Sequence, residues 1–413
     1  MTFFVTAAGL LILIGSVLIS IFLIYILNPV LSKRKVKISV NHVMDLEVMA
    51  GSTLIKTLAD QRIFLPSSCG GNGICGMCHC KVSKGGGPVL PIEASVFTKE
   101  ELADNWRLGC QVKVKRNLSI ELPEEIFGIK QWECEVVSNR NVSTFIKELV
   151  MKLPEGQTIT FKSGSYIQLK TPEIEIDFAR DIQIDQAFKA EWDRLNVWSL
   201  KMKNSKTLIK PYSLANPPAE ANIVMLNARI SLPPWDNKSA GFAKVSPGIS
   251  SSYIFSRKPG DKVLLSGPYG DFYIKSTQRE MMFIAGGAGM APIRSHLFHL
   301  FHTEKTDRKT TCWFGGRSLK ELFYIDDFTM IQEAFPNFTF HVALSEPKPD
   351  DNWQGNKGFI HQIILDNYLK QHPEPQSIEY YLCGPPMMNT AVLKMLADLG
   401  VPDEMIAFDD FGS

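Results

Sequence analysis

Cysteine is scarce in this sequence, with eight among 413 residues. That is too few for a disulfide scaffold. Four of the eight (Cys69, Cys75, Cys78 and Cys80) crowd into one short stretch, a pattern of metal chemistry in a reducing compartment. Net charge is nearly absent as well. The 44 basic and 43 acidic side chains leave +1, and no basic stripe interleaved with aromatics occurs, which excludes a general nucleic-acid binder. No repeat of solenoid period is present. From Phe3 to Leu27 charge is missing altogether. This stretch is about 37 Å long as a helix, against a hydrocarbon core of about 30 Å. A basic n-region and a small-residue cleavage site are also missing, which excludes a secretory signal peptide. A buried core helix would be interrupted by polar positions. The stretch therefore predicts a single transmembrane anchor at 3–27. Lys33, Arg34, Lys35 and Lys37 follow it and place the rest of the chain in the cytoplasm.

What remains is globular in composition, 45% hydrophobic and 21% charged, and long enough for about three domains. Residues 36–128 read as a small α+β domain: a hairpin of Val36–Val40 and Leu46–Met49, a helix capped by Ser52, and strands at His79–Val82, Gln111–Lys115 and Leu118–Leu122. Residues 129–275 read as an antiparallel β-barrel, interrupted by a charged insertion at Glu173–Lys206. Within it Ile174, Ile176 and Phe178 alternate like a strand, whereas Phe188, Trp192 and Leu195 recur at helical spacing. It is too apolar for a solvated linker, and reads either as a flap on the barrel or as a docking surface for a neighbouring subunit. Residues 276–413 alternate strands with helices: Met281–Ala285, Thr310–Phe314, Phe338–Leu344 and Ile378–Cys383 predict a doubly wound parallel sheet.

The strongest motif is Cys69-Gly-Gly-Asn-Gly-Ile-Cys75-Gly-Met-Cys78, joined further on by Cys110. Four thiolates suit an iron–sulfur cluster, and the glycines let backbone N–H groups turn toward the sulfurs. The competing reading, structural zinc, calls for two short Cys pairs rather than three ligands on one loop and a fourth alone. Cys80 is one residue beyond Cys78 on a strand, points the opposite way, and reads as packing.

Two further motifs lie in the barrel. Lys210-Pro-Tyr212-Ser213 resembles the Arg-x-Tyr-Ser motif of the ferredoxin–NADP⁺ reductase family, with Lys in place of Arg and so a point charge in place of a bidentate fork. Gly248-Ile-Ser-Ser251-Ser252 resembles the family's second flavin motif, where a helix start binds pyrophosphate. The resemblance implies that Tyr212 stacks on the isoalloxazine of FAD, that Ser213 binds the flavin, and that Lys210, Gly248, Ser251 and Ser252 bind its phosphates.

In the last segment, strand Met281–Ala285 runs into Gly286-Gly287-Ala-Gly289-Met-Ala-Pro292, a strand–turn–helix that makes an anion site. It departs from the dehydrogenase G-x-G-x-x-G spacing and resembles the reductase family's G-G-x-G-x-x-P. Cys383-Gly384-Pro385 resembles the family's Cys-Gly-Pro, where the Cys lies near nicotinamide C4 without acting as a nucleophile. Phe411 is the candidate for the aromatic residue that covers the flavin face in related reductases; a disordered tail is the alternative. Arg317 and Lys320 would suit a 2′-phosphate, while Glu321 would repel one.

Anchor, ferredoxin domain, flavin barrel and nicotinamide domain, in this order, resemble the F subunits of the Na⁺-translocating NADH:quinone oxidoreductases. The resemblance implies a β-grasp ferredoxin domain, a [2Fe–2S] cluster on Cys69, Cys75, Cys78 and Cys110, non-covalent FAD, and NADH as the substrate. It also implies a six-subunit complex in the bacterial inner membrane, with quinone reduced through partner subunits. Catalytic roles fall on Cys383, Tyr212 and Phe411. Two alternatives stand beside it: a soluble reductase feeding an oxygenase, and an anchored ferredoxin with a degenerate reductase half.

Overall fold

The computed structural model describes residues 15–17, 19–20, 34–67, 69, 71–237 and 240–410. Apart from five of its residues, the predicted anchor at 3–27 lies outside them, as does Phe411. Among the described residues no helix is long and apolar enough to cross a membrane. The chain divides into two compact units between Lys130 and Gln131.

In the first unit β1 (Lys35–Val40) and β2 (Met44–Met49) form the expected hairpin, with Lys35 opposite Met49 and Val40 opposite Met44. Helix α1 (Leu54–Asp60) buries Leu54, Thr57 and Leu58. Its N-cap is Thr53 rather than Ser52, without a side-chain cap bond. Short helices α2 (Pro91–Ala94) and α3 (Lys99–Ala103) lie between β3 (His79–Lys84) and β4 (Trp106–Leu108), and β5 (Leu118–Glu121) follows. The sheet order is β2-β1-β5-β3-β4. β1 and β5 run parallel and the other pairs antiparallel, which is a β-grasp arrangement over one principal helix. The strand expected at 111–115 is absent. Its backbone instead serves the entry to α1: Val112 and Val114 carbonyls accept from Leu54 and Gly51, and Val114 N–H donates to Ser52. Only the isolated bridge Thr53–Lys113 remains of it.

The second unit opens with the barrel: β6 (Lys130–Ser143), β7 (Ile146–Lys152), β8 (Tyr166–Thr171), β11 (Leu208–Ser213), β12 (Ile223–Arg229) and β15 (Lys262–Tyr269). These follow the order β11-β8-β15-β6-β7-β12, and a bridge from Leu214 to Leu226 joins the two ends. The insertion folds as β9 (Ile174–Asp177), α4 (Phe178–Asp181), α5 (Gln186–Arg194) and β10 (Lys201–Asn204), with β9 and β10 paired antiparallel. Phe178 thus opens a helix, where alternation predicted strand. Ile176, Phe178, Ile182 and Trp192 are buried in the barrel's own core, so the insertion packs as a flap. A two-residue ribbon, β13 (Trp235–Asp236) with β14 (Gly241–Phe242), precedes α6 (Ile249–Ser256).

The remaining elements are β16 (Met281–Gly286), α7 (Met290–Phe298), β17 (Thr310–Gly316), α8 (Ile325–Ala334), β18 (Phe338–Leu344), β19 (Asn356–Lys357), α9 (Ile360–Asn367), β20 (Glu379–Cys383), α10 (Pro386–Asp398) and β21 (Ile406–Asp409). Their strands form one parallel sheet, β19-β18-β17-β16-β20-β21. Along β16, Met281, Phe283 and Ala285 enter one apolar cluster and Met282 and Ile284 another. Both faces are therefore covered, as an all-parallel sheet requires.

Candidate functional site

Cysteines 69, 75 and 78 occupy the loop between α1 and β3. Gly71 and Gly73 hold φ of +92° and +83°, a conformation that side chains resist. The resulting turns aim the N–H groups of Gly71, Ile74 and Cys75 at the Cys69 sulfur. The Cys75 thiol donates to Cys69 Sγ at 3.3 Å. Cys78 donates to Cys110, whose sulfur also accepts from Gln111 Nε2 at 3.3 Å. Burial works to raise the Cys69 thiol, but the Cys75 and other N–H donors prevail and bring it down to about 6. The Cys78 bond, against burial and with help from Gln111, lowers Cys110 to about 7. Each pair thus contains one thiol poised as thiolate, the ligating form. Among the described residues no three Cys, His, Asp or Glu side chains converge as a single-ion cage needs. Four thiols in two hydrogen-bonded pairs would suit the ligand set of an iron–sulfur cluster, which is held by thiolates. Cys80 is fully buried and its thiol is pushed up to about 12 by burial, in keeping with packing alone.

A buried ion pair supports this loop, and the sequence motifs gave no sign of it. Arg107 reaches Glu93 at 2.8 Å, and both are buried. The guanidinium also donates to the carbonyls of Gly86, Gly87 and Pro88, while Glu93 accepts from Leu108 N–H. This fixes the segment before α2 to β4, the strand that leads into Cys110.

In the second unit, Lys210 and Tyr212 lie on β11 opposite Leu169 and Ile167. Tyr212 packs against the barrel core, and burial pushes its hydroxyl well up. Ser213 Oγ donates to Asp409 Oδ2 at 3.0 Å. Asp409 is paired in the sheet with Cys383. Burial raises the Asp409 carboxyl to about 6, with the charges of Asp271 and Asp410 adding to the rise and Ser213 opposing it. The Cys383 thiol is fully buried, and burial together with the charges of Asp409 and Asp410 raises it, which favours the protonated thiol. The structure therefore brings the predicted Ser213 and Cys383 together through Asp409, which sequence reasoning missed. The only signal was an acidic pair ahead of Phe411.

The helix start at Gly248 is as predicted, with Gly248 as N-cap of α6. The Ser251 and Ser252 hydroxyls turn back to donate to the Gly248 carbonyl at 3.1 and 2.7 Å. An anion there would meet the backbone N–H groups of the first turn. Ser250 and Thr171 share a hydrogen bond of 2.9 Å, and Thr171 stands opposite Leu208. The helix start is thus tied to the strand of Lys210 and Tyr212.

The glycine turn at Gly286–Gly289 meets the Cys383–Pro385 turn directly. A Cβ on Gly289 would come within 2.2 Å of the Cys383 carbonyl oxygen, so only glycine lets these strand ends approach. Pro292 is buried in the first turn of α7. From α7, Arg294 donates to the Ala215 carbonyl at 3.0 Å and Ser295 to that of Asn216 at 2.8 Å. The nicotinamide lobe is thereby anchored to the barrel two and three residues beyond Ser213.

Residues 40–115 match the family of 2Fe-2S iron-sulfur cluster binding domains, and residues 283–394 match the oxidoreductase NAD-binding domain family. The chain is similar to the F subunit of the Na(+)-translocating NADH-quinone reductase of Serratia proteamaculans, with 52% identity over 88% of each chain. To the protein of the same name in Klebsiella pneumoniae it is 47% identical over 97% of this chain and 99% of that one. It belongs to the family of these F subunits. Among solved structures, a cytochrome P450 reductase of Amycolatopsis superposes with a TM-score of 0.61 at 20% identity, covering 91% of this chain and 98% of that one. The ferredoxin reductase of a carbazole 1,9a-dioxygenase gives 0.59 at 21%, covering 92% and 99%. The chain therefore shares its fold with reductases that serve oxygenases, while its sequence kinship lies elsewhere.

Proposed function

We propose that this chain is the electron-input component of a sodium-translocating NADH:quinone reductase, oxidising NADH and delivering electrons singly to partner subunits. The observation that carries this reading is the junction of Ser213, Asp409 and Cys383 beside Tyr212. It joins the flavin motif to the nicotinamide motif within one compact unit, and kinship to the F subunits supplies the reaction. Bound FAD supplies the conversion between a two-electron donor and a one-electron [2Fe–2S] acceptor. Tyr212 would stack against the ring system, with Ser213 at its edge. Lys210 and the helix start at Gly248–Ser252, through the first-turn N–H groups of Ile249, Ser250 and Ser251, would hold the phosphates. Gly286, Gly287, Gly289 and Pro292 would cradle the pyrophosphate of NADH, and Cys383, Gly384 and Pro385 would give its nicotinamide close access. Phe411, next in chain to Asp410, would cover the flavin face until nicotinamide displaces it. Cys69, Cys75, Cys78 and Cys110 would hold the cluster.

Domain limits follow the same reading: ferredoxin domain 36–128, FAD barrel 129–275 and NADH domain 276–413. The 3–27 segment would cross the bacterial inner membrane once and leave these domains in the cytoplasm. No intramembrane charge is available for an ion path on that span, so sodium transfer and quinone reduction belong to the other members of a six-subunit complex. Anaerobic titration of the purified chain with NADH tests the reading. Flavin absorbance should bleach and a [2Fe–2S] electron paramagnetic resonance signal should grow in. Failure of NADH to bleach the flavin would reject it.

A further inference from the structure

We infer that the Gln111 side chain acts on electron transfer through Cys110, donating a hydrogen bond to its sulfur that raises the reduction potential of the cluster. Gln111 is then a positioning residue, and the inference rests on the ligand set proposed above. Its Nε2 stands 3.3 Å from Cys110 Sγ and 3.4 Å from the Gly71 carbonyl oxygen. A ligating thiolate and a carbonyl are both acceptors. An amide nitrogen, with two N–H groups, serves both of them, whereas the amide oxygen in its place would be repelled by both. The orientation of the amide is therefore dictated by its neighbours.

Both sides of the site make room for this amide. The Gln111 N–H donates to the Leu108 carbonyl at 2.8 Å, in a turn that also takes the Val112 N–H at 3.1 Å. Gly109 N–H ties the same turn to the Cys78 carbonyl at 2.8 Å. Cys110 and Gln111 are thus held beside the three-cysteine loop. On the loop side, a Cβ on Gly73 would stand 2.7 Å from Gln111 Nε2 and 3.1 Å from its Cδ. Gly73 therefore supplies the space the amide occupies as well as the turn. The donors to Cys69 are backbone N–H groups of its own loop, which side-chain substitution leaves in place. Gln111 is a donor that one substitution removes without touching a ligand or a glycine. Reduction adds one electron to the cluster, delivered from flavin that NADH has reduced, and makes or breaks no bond to the ligands. The ligand sulfurs share the added charge, so an N–H···S bond is stronger to the reduced form and favours reduction.

Potentiometric titration of the full-length chain, followed by the [2Fe–2S] electron paramagnetic resonance signal, tests this. Gln111→Met keeps an unbranched side chain and removes the donor. It should make reduction about fivefold less favourable, a midpoint about 40 mV lower at about 59 mV per tenfold for one electron. Gln111→Glu keeps the shape and puts a carboxylate in place of the donor, so its midpoint should fall about tenfold or more, by at least about 59 mV. Iron and sulfide content and flavin bleaching by NADH should stay at wild-type levels in both. The order of potentials, wild type above Met above Glu, is the decisive readout, because a side chain that only locked the loop would change cluster content instead. Either variant decides the matter if the other fails to load. Equal potentials in all loaded forms overturn the inference, and so does loss of the cluster from both variants, which makes Gln111 a structural lock. A wild type with no [2Fe–2S] signal rejects the ligand set itself, and the inference with it.

Discussion

The cluster loop and the flavin–nicotinamide junction are assembled in opposite ways. Three of the four candidate cluster ligands come from one ten-residue stretch, and the N–H groups that lower the Cys69 thiol come from the same stretch. At the junction, Ser213 and its partner Asp409 are 196 residues apart, and the lobes are joined by Arg294 and Ser295 reaching 79 residues back. A local site depends on spacing and glycine conformation. A distributed one depends on two domains docking correctly, so its weak points lie far from its motifs.

The sharpest break in the comparison is Cys75→Ser. It should abolish the cluster, leaving no electron paramagnetic resonance signal after reduction, while FAD content and flavin bleaching by NADH stay at wild-type levels. Should the variant bind FAD and yet fail to be reduced by NADH, the two sites are not separable.

Next come the buried supports, one in each unit. Arg107→Ala leaves Glu93 as an unpaired buried carboxylate and removes three bonds to the 86–88 segment, so it should cost the first unit about 3–5 kcal/mol. Trp192→Ala empties a fully buried site in the barrel core and orphans the Thr144 carbonyl, which Trp192 Nε1 contacts at 2.8 Å. That should cost about 3–5 kcal/mol as well. Chemical denaturation followed separately by cluster absorbance and flavin fluorescence should assign each loss to its own unit. If Trp192→Ala proves neutral, the insertion is not part of the barrel core.

These supports also show where the sequence was legible. Cys69–Cys78, Tyr212–Ser213, Gly286–Gly289 and Cys383–Pro385 could all be read because each is a backbone conformation encoded by a short string. The parallel sheet was readable because its strands are apolar on both faces. Arg107, Glu93 and Asp409 were not, since a buried charge is recognisable only once its partner is in place. The false strand at 111–115 has a related cause. Val112 and Val114 alternate as a strand would, and both are buried, but their backbone bonds go to the entry of α1. The same limit applies to Ser52. It suits a cap by type, yet the helix begins one residue later, where the Thr53–Lys113 bridge fixes the turn.

Asp409 tests the distributed site by both rate and pH. Asp409→Asn removes the acid that Ser213 bonds to and should slow flavin reduction by NADH about 10- to 100-fold with FAD retained, through loss of positioning. The carboxyl is raised in the folded chain to about 6, above an ordinary value near 4. Between these values the folded state binds the additional proton, so its contribution to stability is fully present below about 4 and is lost as pH rises through about 6. Wild type should therefore lose stability across that window relative to Asp409→Asn. Parallel stability–pH curves would place the carboxyl in water and remove it from the junction.

The smallest expected effect is on nucleotide choice. Arg317, at the end of β17, was read as a candidate for a 2′-phosphate, with Glu321 as the residue opposing it. The structure instead pairs Arg317 with Glu346, at 2.9 Å, across the end of β18, and Glu346 N–H donates to the Arg317 carbonyl. Both side chains are largely exposed, so the pair itself adds little stability. Its effect is on charge: a carboxylate beside the Arg317 guanidinium cancels its attraction for a phosphate. A unit charge about 4 Å away in water is worth about 1 kcal/mol, which is about fivefold in kcat/KM. Glu346→Gln should therefore raise kcat/KM for NADPH about fivefold and leave that for NADH nearly unchanged, and the gain should fade as ionic strength rises. An equal change for both nucleotides would mean that Glu346 acts on the fold of the loop and not on the phosphate.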